Sequence, residues 1–319
     1  MFLAEYVVRI TSCVEGNMRI LLIHNPKAGE RNHSKKQLVS SLTAFGHQTF
    51  YQSTRKRDWK KAFDKSVDLV IAAGGDGTVR KTAWRLMDTG VPLAILPLGT
   101  ANNLARSLGF TASPDEIVAH LGDGKARPFD VGIAQGACGK EFFLEAAGGG
   151  LLADFLEDAE QRDDKEGSRK QRMRQHVSRL RKISAQYPAR HWNIIIDDED
   201  VSARYLLWQV MNIRSAGPAL NLAPRAASDD GVLDFVSVRE RERDLFLEYL
   251  NARVAGDTSR FPLPGRKFRD LRIIECAASM HFDSKIWPEK KDKPKRRGPV
   301  EISVRPAALM ICAPAPERP

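Results

Sequence analysis

Residues Asp68–Asp88, DLVIAAGGDGTVRKTAWRLMD, join an apolar strand, a glycine-rich turn and a helix with no linker between them. The apolar run stops at Gly74-Gly75-Asp76-Gly77-Thr78 and the helical pattern begins there. Glycines at such a junction let backbone come close to a bulky polar group. The free N–H groups and positive dipole end of the helix suit a phosphate. Thr78 is placed to cap that helix. Asp76 is out of character, because a carboxylate beside a phosphate is repelled unless a metal ion or a proton mediates. The segment therefore points to chemistry on a phosphate, and the competing reading is a plain N-capping turn.

The same construction recurs on both sides. Arg19–His24 reads as a buried strand ending in Asn25-Pro26-Lys27-Ala28-Gly29, with a helix over about Lys35–Phe45. Thr49–Gln52 predicts a second strand ending near Ser53-Thr54, and Asp58–Lys65 a helix. Pro92–Leu96 is another buried strand, followed by Pro97-Leu98-Gly99-Thr100 and a helix near Asn102–Leu108. Strands alternating with helices mean a parallel sheet with βαβ crossovers. The loops Asn25–Gly29, Gly74–Thr78 and Gly99–Asn103 all fall at carboxyl ends of strands, where open α/β sheets bind ligands. One such loop is an ordinary turn; together they suggest a shared polyphosphate site. Within it Lys27 is either a phosphate contact or a solvated lysine. Thr100 is a phosphate or ribose contact. Asn102 and Asn103 favour a helix start whatever else they do.

The texture changes after about Pro128. Phe129–Ile133, Glu141–Ala146, Trp192–Ile196, Tyr205–Ile213, Leu233–Val238, Leu271–Glu275, Val300–Val304 and Leu309–Cys312 read as strands of a mostly antiparallel, sandwich-like domain. A helical interruption lies between Asp154 and Ala185. Met173, Val177, Leu180 and Ile183 recur there at helical spacing, and basic residues from Arg169 to Lys182 cover the rest. Lys290–Arg297 reads as an exposed basic loop. The expected domains are residues 18–128 and 129–314 after an extension of residues 1–17, with Met18 as the natural start.

The net charge of +10 suits an anionic partner: nucleic acid, an anionic membrane surface or an anionic substrate. No recognised nucleic-acid fold or aromatic interleaving accompanies it. The four cysteines form no CxxC pair, which argues against a zinc module or disulfide framework and fits a reducing cytoplasm. No apolar run approaches the roughly 18–20 residues of a spanning helix, and no signal peptide is seen.

NPKAG at Asn25–Gly29, GGDGT at Gly74–Thr78, LPLGTANNLAR at Leu96–Arg106, APRAASDDGVLD at Ala223–Asp234 and PVEISVRPAALMICAP at Pro299–Pro314 carry a resemblance. From about Met18 to Pro314 the chain resembles the diacylglycerol kinase catalytic-domain family, the bacterial soluble lipid kinases related to sphingosine kinases. GGDGT alone is shared with NAD kinases; the LPLGTANNLAR block argues against that rival. The resemblance implies an α/β N-terminal nucleotide-binding domain of the NAD kinase/diacylglycerol kinase type, plus a mostly antiparallel β-sandwich C-terminal domain. It implies ATP and Mg²⁺, with the γ-phosphoryl group passed to a lipid hydroxyl, diacylglycerol first, giving phosphatidic acid. Other acceptors left open are a sphingoid base, a ceramide, another lipid alcohol or a polyol. A regulator without catalysis is the reading from a different class.

The nucleotide-binding set so implied is Asn25, Pro26, Lys27, Ala28, Gly29, Thr54, Gly74, Gly75, Asp76, Gly77, Thr78, Gly99, Thr100 and Asn103, with the helix on to Lys81. Many members carry Asp at the place of Asn103, where it joins Asp76 and Asp130 around Mg²⁺; the neutral Asn103 weakens such a network. Asp230, with the carbonyls of Ala227 and Val232, matches a structural metal loop, against the alternative of a tight Asp-Gly turn. Asp283-Ser284-Lys285 stands where the family has Asp-Gly-Glu, whose Glu is regarded as the base for the lipid hydroxyl. A lysine holds its proton at neutral pH and is no base there. Asp76 is then the first candidate for the catalytic base and Asp283 the second, with Glu289 or lost activity as alternatives. The expected partners are a lipid substrate at the inner membrane leaflet and an anionic membrane surface met by Arg169–Lys182 and Lys290–Arg297, both of which also read as solvated faces. A homodimer is left open, nucleic acid is not expected, and the protein is expected to be cytoplasmic and transiently membrane-associated.

Overall fold

The computed structural model describes residues 17–29, 33–137, 139–159, 167–257, 260–275, 278–288 and 298–313. The expectations for residues 1–16, for Glu289 and for the basic run Lys290–Arg297 lie outside them. The chain divides into two compact units: one runs to Phe129 and takes the chain back from Ala307, the other spans Asp130–Pro306. Val300–Val304 and Leu309–Cys312, read as separate strands, form one strand, Val300–Ala313, which leads from the second unit into the first. The sequence division into 18–128 and 129–314 contained no such return.

In the first unit β1 (Arg19–His24), β2 (Gln48–Ser53), β3 (Leu69–Gly74) and β4 (Leu93–Pro97) are parallel in the order β4-β3-β1-β2. The end of the last strand lies beside β4, with Ile311 opposite Leu93. Ile20–Ile23, Leu69–Ala73 and Leu93–Leu96 are all at most 2% exposed, so both faces of these strands are covered. That explains continuous apolar runs where a half-exposed strand would alternate. Helix α1 (Lys35–Ala44) starts at a capping box formed by Ser34 and Gln37. Helices α2 (Asp76–Leu86) and α3 (Asn103–Ser107) follow β3 and β4 directly. The helix expected over Asp58–Lys65 is a 3₁₀ segment, Trp59–Asp64. A further helix, α4 (Pro114–Ala119), begins at the capping box of Ser113 and Glu116.

In the second unit an antiparallel sheet runs Arg266–Phe268, Leu233–Arg239, Ala203–Met211, Ala146–Gly150, Met280–Phe282, Lys285–Trp287, with Arg190–Trp192 also on Ala203–Met211. Ile194–Ile196, Asp270–Ile273 and the start of the last strand form the facing layer. Phe143, Trp208, Phe235 and Phe282 pack between the layers with Ile194, Ile273 and Ile302. The other side of the larger sheet is covered by α5 (Leu151–Ala159), α6 (Arg169–Gln186) and α7 (Arg243–Ala255) through Phe155, Leu180, Phe246 and Leu250. This is a β-sandwich with helices on one side. Helix α7 was absent from the sequence reading, although Phe246, Tyr249 and Leu250 have helical spacing and Gly256 ends it at φ +94°.

The strand Ala146–Gly150 is all glycine and alanine, and at Gly149 two indoles leave no room for a side chain. A Cβ on Gly149 would lie 2.7 Å from Trp192 and 2.8 Å from Trp208 Nε1. On the neighbouring strand His281 is fully enclosed. Its Nδ1 lies 2.8 Å from the backbone oxygen of Asp283 and its Nε2 2.8 Å from Gln209 Oε1. Burial pushes the imidazole pKa down to about 4. The fold therefore holds the neutral ring, whereas the unfolded chain takes up a proton near pH 6.5. The stability this ring contributes is present above pH 6.5 and lost as pH falls toward 4, up to about 3 kcal/mol. Denaturant midpoints are expected to fall through that window, and less steeply in His281→Gln.

Candidate active site

The carboxyl ends of the parallel strands are drawn together by hydrogen bonds that continue the ladder past the strands. Asn25 N–H donates to Ala73 O, Thr54 N–H to His24 O and Leu98 N–H to Gly74 O, each at 2.9 Å. Gly29, at φ +62°, sits so close to β4's exit that a Cβ would be 2.2 Å from Leu98 O. A Cβ on Gly99 would be 2.4 Å from Gly75 Cα, so the second and third loops touch backbone to backbone. Asn102 fixes that contact. It is buried, adopts φ +48°, accepts from Gly99 N–H at 2.9 Å and donates to Gly99 O at 3.1 Å. Asn102 stands at the helix start as expected, but its side chain turns back to the loop and caps nothing.

The loops surround a cavity of about 490 Å³ lined by Asn25, Ala28, Gly29, Thr54, Trp59, Gly75, Gly77, Thr78, Lys81, Gly99 and Thr100. Most of the expected nucleotide set is brought together here. Pro26, Lys27, Gly74, Asp76 and Asn103 do not line it. Lys27 is exposed, and its N–H donates to Asn25 Oδ1 at 3.1 Å, closing the first loop into a turn. Gly74 leaves room for Thr78, whose Oγ1 would be 2.4 Å from a Cβ there. Asn103 is buried at the start of α3. Trp59 is the lining residue that the sequence reading missed; the one available signal was an aromatic just past the end of β2.

Asp76 is the first residue of α2, half-buried between the lining glycines 75 and 77, and its Oδ1 accepts from Leu104 N–H at 3.4 Å. It thus ties the start of α2 to α3. Gly75 is the cap residue and Thr78 lies inside the first turn, so the expected capping by Thr78 does not occur. A Cβ on Gly77 would meet nothing within 4 Å, so that side of the turn faces open space. The open helix start and Lys81 one turn on fit an anionic phosphate chain.

The second unit holds the other expected residues, and most are occupied with its own loops. Asp283, at φ +53°, accepts from the N–H groups of Leu144 (3.0 Å), Glu145 (2.7 Å) and Ala146 (3.3 Å). Turning successive N–H groups onto one carboxylate is also why the expected strand Glu141–Ala146 breaks into Gly139–Phe143 and Ala146–Gly150. Asp283 is tied into this loop through Oδ1, which accepts all three N–H groups, so as a base it would have only Oδ2 to offer. Lys285 is ion-paired with Glu141. Asp130 accepts from Gly231 N–H at 2.7 Å and so braces the turn expected to hold metal. In that turn Asp230 Oδ1 accepts from Val232 N–H at 3.3 Å and Oδ2 is ion-paired with Lys267. The expected metal set of Asp230 with Ala227 and Val232 therefore does not fit a divalent ion, because an ammonium already holds the carboxylate. Among the described residues no group of three or more His, Cys, Asp or Glu is placed to hold a metal ion.

The parallel α/β unit with glycine loops at its strand ends and the β-sandwich unit that follows it both match family models. Residues 19–134 match the family model of the diacylglycerol kinase catalytic domain, and residues 157–313 that of the YegS C-terminal NAD kinase beta sandwich-like domain. The chain is 30% identical over 256 residues to the "Diacylglycerol kinase" of Mycobacterium tuberculosis strain H37Rv, covering 79% of each chain. It is 30% identical over 309 residues to the "Probable lipid kinase YegS-like" of Pseudomonas fluorescens strain Pf-5, covering 92% of this chain and 95% of the relative. The crystal structure of a diacylglycerol kinase from Bacillus anthracis str. Sterne shares the fold, with a TM-score of 0.68, 21% identity and coverage of 93% and 97%. The chain belongs to the diacylglycerol kinase catalytic-domain family and is a phosphotransferase with an alcohol acceptor.

The Gly75–Gly99 contact gives a direct test of this architecture. Gly99→Ala forces a methyl into backbone that has no flexible end to yield and is expected to cost about 1–3 kcal/mol of stability. Chemical denaturation measures it; an unchanged midpoint would contradict the packing described.

Proposed function

We propose that the chain is an ATP- and Mg²⁺-dependent lipid kinase that transfers the γ-phosphoryl group to a lipid hydroxyl, with diacylglycerol as acceptor and phosphatidic acid as product. The observation that carries this reading is the cavity where the strand-end loops of a kinase-family fold converge beside Asp76. The relatives' printed names support the acceptor class. In this reading the N–H groups at the start of α2, Thr78, Thr100 and Lys81 hold the phosphate chain, and Trp59 offers its ring to the base. The acceptor oxygen bonds to the γ-phosphorus as the bond to the β–γ bridging oxygen breaks. ADP leaves, and the acceptor proton passes to Asp76.

Mg²⁺ commonly binds through substrate phosphates and water, and Asp76 would face it here only through water, which leaves the carboxylate able to take the proton. Bound there it would offset charge on the phosphates. Asp76 is preferred as base because Lys285 is ion-paired with Glu141 and Asp283 Oδ1 is taken by three backbone donors. The reaction further implies a protein that works in the cytoplasm and visits the inner membrane leaflet. No described helix is long and apolar enough to cross a membrane. The cationic helix α6 supports an anionic lipid surface as partner.

The same pairing of Lys285 with Glu141 favours a second reading, a nucleotide- or lipid-binding regulator without catalysis. Labelled ATP with Mg²⁺, a panel of lipid micelles and NAD separates the two. Label is expected in a lipid alcohol; none in any acceptor supports the regulator, and label in NAD alone sinks the lipid reading. Asp76→Asn keeps the acceptor for Leu104 N–H but not a base, and its turnover is expected to fall about 10²–10⁴-fold with nucleotide binding kept. Gly77→Ala, by contrast, is expected to melt no lower than wild type, since alanine favours the helix, yet to bind nucleotide several-fold more weakly by equilibrium titration.

A further inference from the structure

The turn after Ala227 is built around a cation that the chain itself carries. Strand Leu233–Arg239 pairs antiparallel with Arg266–Phe268, and the register sets Asp234 opposite Lys267. Directly opposed residues project to the same face. The lysine side chain is therefore aimed at Asp234 by the sheet and not by chance of a long tether. Its ammonium lies 3.9 Å from Asp234 Oδ2 and is ion-paired with Asp230 Oδ2, in the turn that feeds the same strand. Asp230's other oxygen accepts from Val232 N–H at 3.3 Å. Both carboxylate oxygens of Asp230 are thus in use, one of them by a positive charge.

A divalent ion at this turn would need oxygen ligands on several sides and would face the ammonium at short range. We propose that Lys267 is the built-in cation of this turn, standing where the family resemblance implies Mg²⁺, so that the second unit holds Asp230 and Asp234 without a metal ion. The electrostatics agree. The hydrogen bond to Asp230, ahead of its charge, holds the Lys267 ammonium pKa above the ordinary lysine value. Burial pushes the Asp234 carboxyl up, and Lys267 opposes that shift. An ammonium with several donors satisfies two carboxylates with no ligand geometry to complete. Any Mg²⁺ requirement of the protein then follows the nucleotide and not the fold, and the inference stands whether or not the chain phosphorylates a lipid.

Two measurements on the full chain without nucleotide test it. The first needs no variant: melting temperature is followed after dialysis against EDTA and again with millimolar MgCl₂. No shift is expected. A melting temperature that falls in EDTA and returns with Mg²⁺ in the wild type but not in Asp230→Asn would overturn the proposal. The second is a double-mutant cycle of Lys267→Met and Asp230→Asn. Each single variant is expected to melt about 2–4 °C lower, as a half-exposed pair allows, and the double variant by less than the sum. Single variants that melt like the wild type, or strictly additive losses, would also overturn it.

Discussion

The contact between the backbones of Gly75 and Gly99 is the constraint on which the nucleotide-type cavity depends. Any side chain on Gly99 would overlap Gly75, and that close approach sets the second loop against the third. Only then does the start of α2 open toward the same space as Thr100 and Gly29. Asn102 makes the contact single-valued by grasping both polar groups of the Gly99 peptide while holding a left-handed backbone. A buried asparagine in that conformation carries a conformational cost, offset by two hydrogen bonds that a hydrophobic residue lacks. The functional geometry of the first unit is thus set by glycines that are required for what they lack.

How much of this was legible in the sequence follows from the range of each interaction. Parallel strands announce themselves by unbroken apolar runs, and the loops by glycine density at the ends of those runs; both signals are local. The cavity lining followed almost residue by residue from those loops. Trp59 escaped because nothing beside it in sequence marks it as facing a cavity. The grip of Asn102 on Gly99 escaped because its three-residue reach back looks, in sequence, like any polar residue before a helix. Asp283 holds N–H groups 137 to 139 positions away, and no local pattern reports that. Lys267 meets Asp230 from 37 positions away through strand register, which is equally silent in the chain. Helix α7 is different: its spacing and its terminal glycine were present and were overlooked amid strands.

In the second unit the ionisable groups at the informative positions are engaged with their own architecture. Asp283 gathers a broken strand, Asp130 braces a turn, Lys267 bridges two carboxylates and Lys285 pairs with Glu141. Each is a polar group whose partner is fixed by the fold, which is how buried or half-buried charge is tolerated. The weight of the proposed chemistry therefore concentrates in the first unit, where Asp76 sits at a helix start and accepts from Leu104 N–H.

The return of the last strand has a consequence for how such a chain is made. Ile311 completes the sheet beside Leu93, and Ala308 O receives Asp88 N–H at 2.9 Å, both inside the unit that begins near Met18. A ribosome that has finished residues 18–129 has therefore delivered a domain without its outer strand. The unit that would bind nucleotide waits, with one edge unpaired, while roughly its own length and more of sandwich is synthesised. Truncation from the far end would accordingly damage the first half of the protein before touching most of the second.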